Sequence, residues 1–517
     1  MKKALSLILT LCLLLGCAGF ASAEPSADAV LRVAVDGEPS SLFAAYQQSK
    51  VDNRVNSSMW NYLVEWDDVN KTAKPSVATE WEWIDSTHIR FTIRDDVYFT
   101  NGEKLTAEDV AKSLDYSCDN HQRYTAMFDR ENFVVEDDTH VIIALTRPYG
   151  NLLDILGCDY YTIFDWSAFE ADGKDTAKWM RDPVGSGPYK LVEWVSGDHI
   201  TLERNENYWD KDNMPYFKQI IYYFIADQAA RTNALEAGTV DVAYTVAVNQ
   251  IKELQDAGLT VNPYNQNVTQ PLTFNMSLLE DGTVRNPALQ DENVRKAIFY
   301  AIDKSELAAA YHMGYGIESK SSLTGPNSPY YYECESFAQD LNTAKAAMDE
   351  AKAKNGWTDE DLTFTMYAVA GSDQSQYELL QYYLGQIGIT IKIESVDLSV
   401  MLFEHLFVGD SSIGIAENDT WDVTRMLEMV DSRVPTSFDA YRGEHEEELH
   451  ALIDAAYAAD DSTRYDAYAA VQQFCADHYV TTVIDNCLFV DAWNPAYTGM
   501  LYDAHCWPNV WAMHPAE

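Results

Sequence analysis

Leu380-Gln381-Tyr382-Tyr383-Leu384-Gly385-Gln386-Ile387-Gly388, continued by Ile389-Thr390-Ile391-Lys392-Ile393-Glu394-Ser395-Val396, changes character at its glycine. Leu380, Tyr383, Leu384 and Ile387 recur at i, i+3, i+4 and i+7, the apolar stripe of a helix, and Gly388 stops it. Ile389 to Val396 then reads as a strand. Helix, glycine stop and strand in succession make an α/β unit, so a mixed α/β architecture is predicted.

Neighbouring segments extend that reading. Val471, Phe474 and Cys475 mark a helix ahead of an apolar strand around Thr482 to Ile484. Asp291 is placed to cap a helix whose face carries Val294, Ala297, Ile298, Ala301 and Ile302. Thr106-Ala107-Glu108-Asp109 is a helix start, with a hydroxyl cap and an acid three residues on, and Val110 and Leu114 continue its apolar face. Ile89 to Ile93 alternates as a half-buried strand does, and Leu31 to Val35 reads as a buried strand broken at Asp36-Gly37-Glu38-Pro39. Asn101-Gly102 is a hairpin-type turn signal. Gly185 and Gly187 beside Pro188 predict a tight turn that needs permissive φ, with Tyr189 and Trp209 as packing anchors. No internal repeat and no Gly/Ser-rich linker occurs, so short connections join the domains.

The chain has 517 residues, long enough for one to three domains, and 47% of them are hydrophobic, which excludes a disordered or fibrous protein. Its 36 Lys plus Arg against 81 Asp plus Glu give a formal charge of −45. That balance repels phosphate backbones and excludes nucleic acid as a partner. Lys2 and Lys3 precede an apolar run from Ala4 to Leu15, too short to span a bilayer and read as a secretory signal. Two cleavage sites fall within residues 1–23. Leu14-Leu15-Gly16-Cys17 resembles a lipobox in which Cys17 becomes the lipidated first residue, and Ala21-Ser22-Ala23 is an A-x-A site for soluble release. The lipoprotein reading is preferred, so contact with a membrane is expected only through a lipid anchor. Six cysteines follow: Cys118, Cys158, Cys334, Cys475, Cys487 and Cys506. They permit disulfides in any of fifteen pairings, or buried free thiols, and none forms a C-x-x-C pair.

Chemistry-bearing motifs are absent. His445-Glu446-Glu447-Glu448-Leu449-His450 spaces its histidines five apart, which turns one roughly 140° from the other on a helix, whereas a zinc protease needs i and i+4. Gly185-Ser186-Gly187 runs into Pro188, which spoils a dinucleotide-binding helix, and neither a nucleophile elbow nor a P-loop occurs. No catalytic residue, metal ligand or cofactor is assigned.

Seven strings in order do carry a resemblance. Leu31 to Val35 with Glu38-Pro39-Ser40-Ser41-Leu42 forms the first. Trp81 to Trp83, then Phe91 to Arg94 with Val97 to Phe99, then Asn101-Gly102 leading into Leu105 to Val110 follow. Asp182-Pro183-Val184-Gly185-Ser186-Gly187-Pro188-Tyr189-Lys190, Arg204 to Trp209, and Phe274-Asn275 with Val294 to Ile298 and Ala301-Ile302-Asp303 complete the set. Together they resemble the family 5 extracellular solute-binding proteins, the binding components of dipeptide, oligopeptide and nickel ABC importers. Leu42-Phe43-Ala44 stands where the family commonly has L-D-P, and Trp421 to Asp431 lacks its usual D-P pair.

The resemblance implies a two-lobed periplasmic-binding-protein-like α/β fold with a hinge between lobes. Residues 30–268, including an extra subdomain at about 76–180, and 490–517 would form lobe one, and 269–489 lobe two. It further implies a monomeric, exported binding protein, anchored facing outside. Such a protein delivers a peptide or peptide-like ligand to an ABC transporter permease without being an enzyme. A secreted polymer hydrolase, suggested by 13 Trp and 32 Tyr, and a ligand sensor without transport are the rivals. In the family the cleft wall of lobe two follows a strand expected here near Ser411 to Ala416. Asp422 would then pair the ligand ammonium, Arg425 its carboxylate, and Trp421 would stack on it. Glu417 lies beside them, and Ser40 and Ser41 would offer polar contacts from lobe one.

Overall fold

The structure is a computed structural model. It describes residues 25–517 except 47–48, 68–71, 121–126, 151, 158–160, 280, 335–337, 371–373, 398–399, 402–411, 416–417, 420–422, 435–439, 461, 503–506 and 517. The signal segment and Cys17 therefore lie outside the described residues, as do Cys158 and Cys506.

A nine-stranded mixed sheet organises the molecule. At its middle Val30–Val35 runs parallel to both Gln219–Phe224 and Val242–Ala243, and its Leu31, Val33, Ala34 and Val35 are wholly buried. An apolar run interrupted only by Arg32, whose guanidinium pairs with Asp241, suits a parallel strand largely covered on both faces. Beyond Gln219–Phe224 lie His199–Arg204 and Tyr189–Val195, both antiparallel. On the other side Thr482–Trp493 pairs with Val242–Ala243, then Thr260–Phe274 with Thr482–Trp493, and Ile413–Ile415 and Asn418–Asp419 close the edge along Thr260–Phe274. A separate four-stranded antiparallel sheet contains Ala78–Trp83, His88–Ile93, His140–Ala144 and Val134–Asp137.

The locally patterned elements form where their periodicity places them. Ser375–Gly385 is a helix, Gly388 has φ +79°, and Thr390–Val396 is a strand parallel to Thr363–Val369. The Asp291 carboxylate accepts from Asn293 N at 2.9 Å and starts Glu292–Ala301. Thr106 donates to Asp109 at 2.7 Å while its Oγ1 accepts from Asp109 N at 3.4 Å, a reciprocal cap on Ala107–Asn120.

One expectation changes. Gly185 and Gly187 adopt no left-handed φ. Their need for glycine is close approach: a Cβ on Gly187 would lie 2.3 Å from the Met59 carbonyl carbon, and Gly187 N donates to Met59 O at 3.0 Å. Tyr189 and Trp209 do pack, the first fully buried with its hydroxyl donating to Phe217 O, the second under the Arg94 guanidinium at 3.8 Å.

Two large apolar clusters account for most of the core. One gathers Leu31, Val33, Phe43, Trp60, Phe164, Phe169, Trp179 and Tyr222. The other runs continuously from residues 63–163 into residues 272–484. Tyr149 packs edge-on against Tyr457, and the Tyr330 hydroxyl donates to Asp154 at 2.8 Å, so the small sheet's domain and the later half touch directly. Cys118, Cys334, Cys475 and Cys487 are all buried. Among the described residues no helix is long and apolar enough to cross a membrane.

Candidate interlobe binding site

Thr260–Phe274 and Thr482–Trp493 form a long ribbon, pairing antiparallel from Thr260 opposite Trp493 to Leu272 opposite Thr482. Their register breaks between Asn265 and Thr269 and again between Gln270 and Pro271. Asn265, Asn267, Thr269 and Asn486 are buried there. Asn486 Nδ2 donates to Ile317 O, Asn327 Nδ2 to Asn265 O, and Thr269 to Leu323 O, so amide and hydroxyl groups tie the broken ladder to residues 317–327. Polar groups taken from water must find such partners.

A cavity of about 450 Å³ opens over this ribbon. Gln228, Thr245 and Asn249 line it together with Tyr311 to Met313, Asp485 and Cys487 to Val490. Thr245 at φ +54° and Met313 at φ +51° both line it, left-handed without being glycine. A β-branched residue holds that conformation only when its surroundings over-determine it. Every polar group of Thr245 is engaged. Its N–H donates to Asp491 Oδ1 at 3.0 Å and its hydroxyl accepts from Arg54 Nη2 at 2.7 Å. Its carbonyl accepts from Arg231 Nη2 at 2.9 Å and Gln228 Nε2 at 3.1 Å.

Charge underlies that wall. Arg54 is completely buried between the rings of Tyr244 and Trp507, at 5.4 and 5.8 Å, and donates to Asp36. Burial opposes its charge, but Asp36 and Asp491 outweigh that and raise its pKa. Asp491 is fully buried, and desolvation pushes its carboxyl up to about 6 against the pull of Arg54. Opposite, His312 Nε2 meets both oxygens of Asp485 at 2.7 and 2.9 Å, with side chains 6% and 1% exposed. Burial raises the Asp485 pKa and His312 opposes the rise. Lys50 lies over the Phe489 ring at 5.0 Å, adding a cation beside the floor. The arrangement supplies fixed charges and aromatic faces in a partly closed space, which suits gripping a small polar ligand.

The residues expected from sequence fall unevenly. Ile413–Ile415 is a strand as anticipated and pairs with Leu272–Phe274, while Asn418–Asp419 pairs with Val268–Thr269 at the break in the ribbon. Glu417, Trp421 and Asp422 lie outside the described residues, and Arg425 is half-buried on the helix Val423–Val430. Ser40 is exposed, its N–H and hydroxyl both donating to Asp52. Ser41 is fully buried, and its hydroxyl donates to Phe43 O at 2.9 Å and accepts from Phe43 N at 3.0 Å. That hydroxyl is committed to its own loop. Asp52 shares the helix Lys50–Asn56 with Lys50 and Arg54, which brings the Ser40 loop to the charged wall.

Sequence reasoning missed Asp36, Arg54, Thr245, His312, Asp485 and Asp491. They come from separate segments without a spacing signature; the one available sign was an isolated acid inside an apolar strand, as in Val490-Asp491-Ala492.

Residues 72–437 match the family described as bacterial extracellular solute-binding proteins, family 5 Middle. The chain is 27% identical to the dipeptide-binding protein DppE of Bacillus subtilis over 55% of this chain and 54% of that protein. It is 30% identical to the nickel-binding periplasmic protein of Escherichia coli, over 52% and 50% of the two. The chain thus spans about half the length of these curated relatives. Among solved structures, the ABC transporter substrate binding protein CtaP of Listeria monocytogenes superposes with TM-score 0.81 at 22% identity, covering 95% of this chain and 100% of that one. DppA of Helicobacter pylori, in complex with the peptide STSA, superposes with TM-score 0.75 at 19% identity, covering 94% and 98%.

Proposed function

The chain belongs to family 5 of the bacterial extracellular solute-binding proteins, and on that premise we propose that it captures a peptide or peptide-like ligand between its lobes and delivers it to an ABC importer. The observation that carries this reading is the cavity over the two crossing strands, which draws residues from both sides of the ribbon and holds its charges in place. The lobes are divided at about residues 268 and 490. Asp422 pairs the ligand's ammonium, Arg425 its carboxylate, Trp421 covers it, and Glu417 and the exposed Ser40 add polar contacts; Ser41 shapes the loop that presents Ser40. Support comes from relatives named for dipeptide and glutathione binding and from the pairing of Ile413–Ile415 and Asn418–Asp419 with Thr260–Phe274.

A desolvated charge pair that loses one member costs roughly 2–5 kcal/mol, whereas an exposed pair is worth at most about 1. Asp422→Ala is therefore expected to weaken peptide binding by well over about tenfold in calorimetry. A loss below about fivefold, with folding intact, removes Asp422 from the site.

The same reading makes the protein an exported monomer held at the outer face of the cell membrane through lipidated Cys17, with cleavage after Ala23 as the soluble alternative. Stable anchoring needs more than one acyl chain, so Cys17→Ser is expected in the soluble fraction. A Cys17→Ser protein still wholly with membranes contradicts the anchor.

A further inference from the structure

We propose that Glu292, His445 and His478 form a binding site for one divalent transition-metal cation, zinc by preference, at a place separate from the interlobe cavity. None of the three lines that cavity. The two histidines that sequence sets side by side diverge: His450 Nε2 meets Ser432 Oγ at 2.9 Å, while His445 turns to His478, ring centroid to centroid 4.2 Å. His478 Nδ1 lies 3.3 Å from Glu292 Oε2, and one ligand atom from each of the three residues falls within 4.8 Å of the others. Zinc binds imidazole nitrogen and carboxylate oxygen at about 2.0–2.2 Å, which places its ligand atoms at most about 4 Å apart. The Glu292–His478 pair already meets that spacing, and Glu292 is half-exposed. Two imidazoles and a carboxylate form a donor set for zinc, nickel or copper, leaving the remaining position to water.

The backbone around the three is cross-tied, so the donors are held in advance. Glu292 opens the helix Glu292–Ala301, His445 precedes Glu446–Ala458, and His478 ends Arg464–Asp477. The buried Arg295 donates to the carbonyls of His478 and Tyr479, each at 2.9 Å, and to those of Leu289 and Gln290. That fastens the His478 turn to the start of the Glu292 helix. Gln290 Nε2 donates to Arg442 O at 2.9 Å, fastening the approach to His445 to the same place. Phe474 packs on the His478 ring at 4.4 Å and fixes its plane. Rigid support behind the donors is what a metal site needs, and its loss typically costs 10–100-fold in affinity. The cation would bridge three helix ends and add stability to this part of the molecule.

The test uses the full-length protein stripped with a chelator and titrated with zinc chloride by calorimetry, beside His445→Gln and His478→Gln. Both histidines are partly exposed, and circular dichroism and the metal-free melting temperature check that each variant folds. Expected are one zinc per chain in the parent, affinity weakened at least about fivefold in each variant, and a zinc-dependent rise in melting temperature confined to the parent. Anomalous scattering from zinc-soaked crystals should place the ion between the three side chains. No zinc uptake by the parent at about 1 mM overturns the proposal, as does a folded variant that binds within about fivefold of the parent, since the metal would then be held elsewhere. Peptide binding in the interlobe cavity should be equal in parent and variants, so the outcome is independent of that reading.

Discussion

Asp491 lies in Val490-Asp491-Ala492-Trp493, has no solvent exposure, and supports both the Arg54 charge and the strained Thr245 backbone. Its carboxyl is raised from 3.8 to about 6, chiefly by desolvation. The folded protein therefore binds this proton more tightly than the unfolded chain does. Stability contributed by the protonated form is present at low pH and falls as pH rises from 3.8 to about 6, after which the full cost of the buried anion remains. Asp491→Asn keeps an acceptor for Thr245 N and removes the titration. In urea unfolding between about pH 4 and 8, the parent should lose more stability than the variant as pH rises, by up to about 3 kcal/mol. Parallel curves for the two proteins would show that Asp491 does not titrate within that window.

Elements that bury a stripe of their own were legible from sequence. Glu292–Ala301, Ala107–Asn120 and the Ser375–Gly385 helix with its following strand each state their period within a dozen residues. The two crossing strands do not. Thr260–Phe274 contains Asn262, Pro263, Asn265, Gln266, Asn267, Gln270 and Pro271, a composition that reads as loop. It is a strand because it pairs with a partner more than two hundred residues later, a contact that no local window contains. For the same reason the strand read around Thr482 to Ile484 continues to Trp493, through Asp485, Asn486 and Asp491. The glycines at 185 and 187 were recognised as necessary, but their reason, the Met59 backbone pressed against them, lies more than a hundred residues upstream. The charged wall was invisible in the same sense, since Asp36, Arg54, Thr245 and Asp491 meet only after the sheet has formed.

At the scale of the whole molecule, this acidic member of the solute-binding family is proposed as a carrier whose ligand lies over the ribbon of Thr260–Phe274 and Thr482–Trp493. The formal charge of −45 keeps polyanions away and leaves recognition to the few fixed groups of the cleft. The proposed function depends on the ligand being a peptide. The direct measurement strips the purified protein by unfolding and refolding, offers it a peptide digest, and identifies by mass spectrometry what survives extensive washing. The account predicts short peptides with free termini, recovered at about one per chain. Retention of no peptide, or recovery instead of a sugar or a metal chelate in that amount from the protein as isolated, would contradict it.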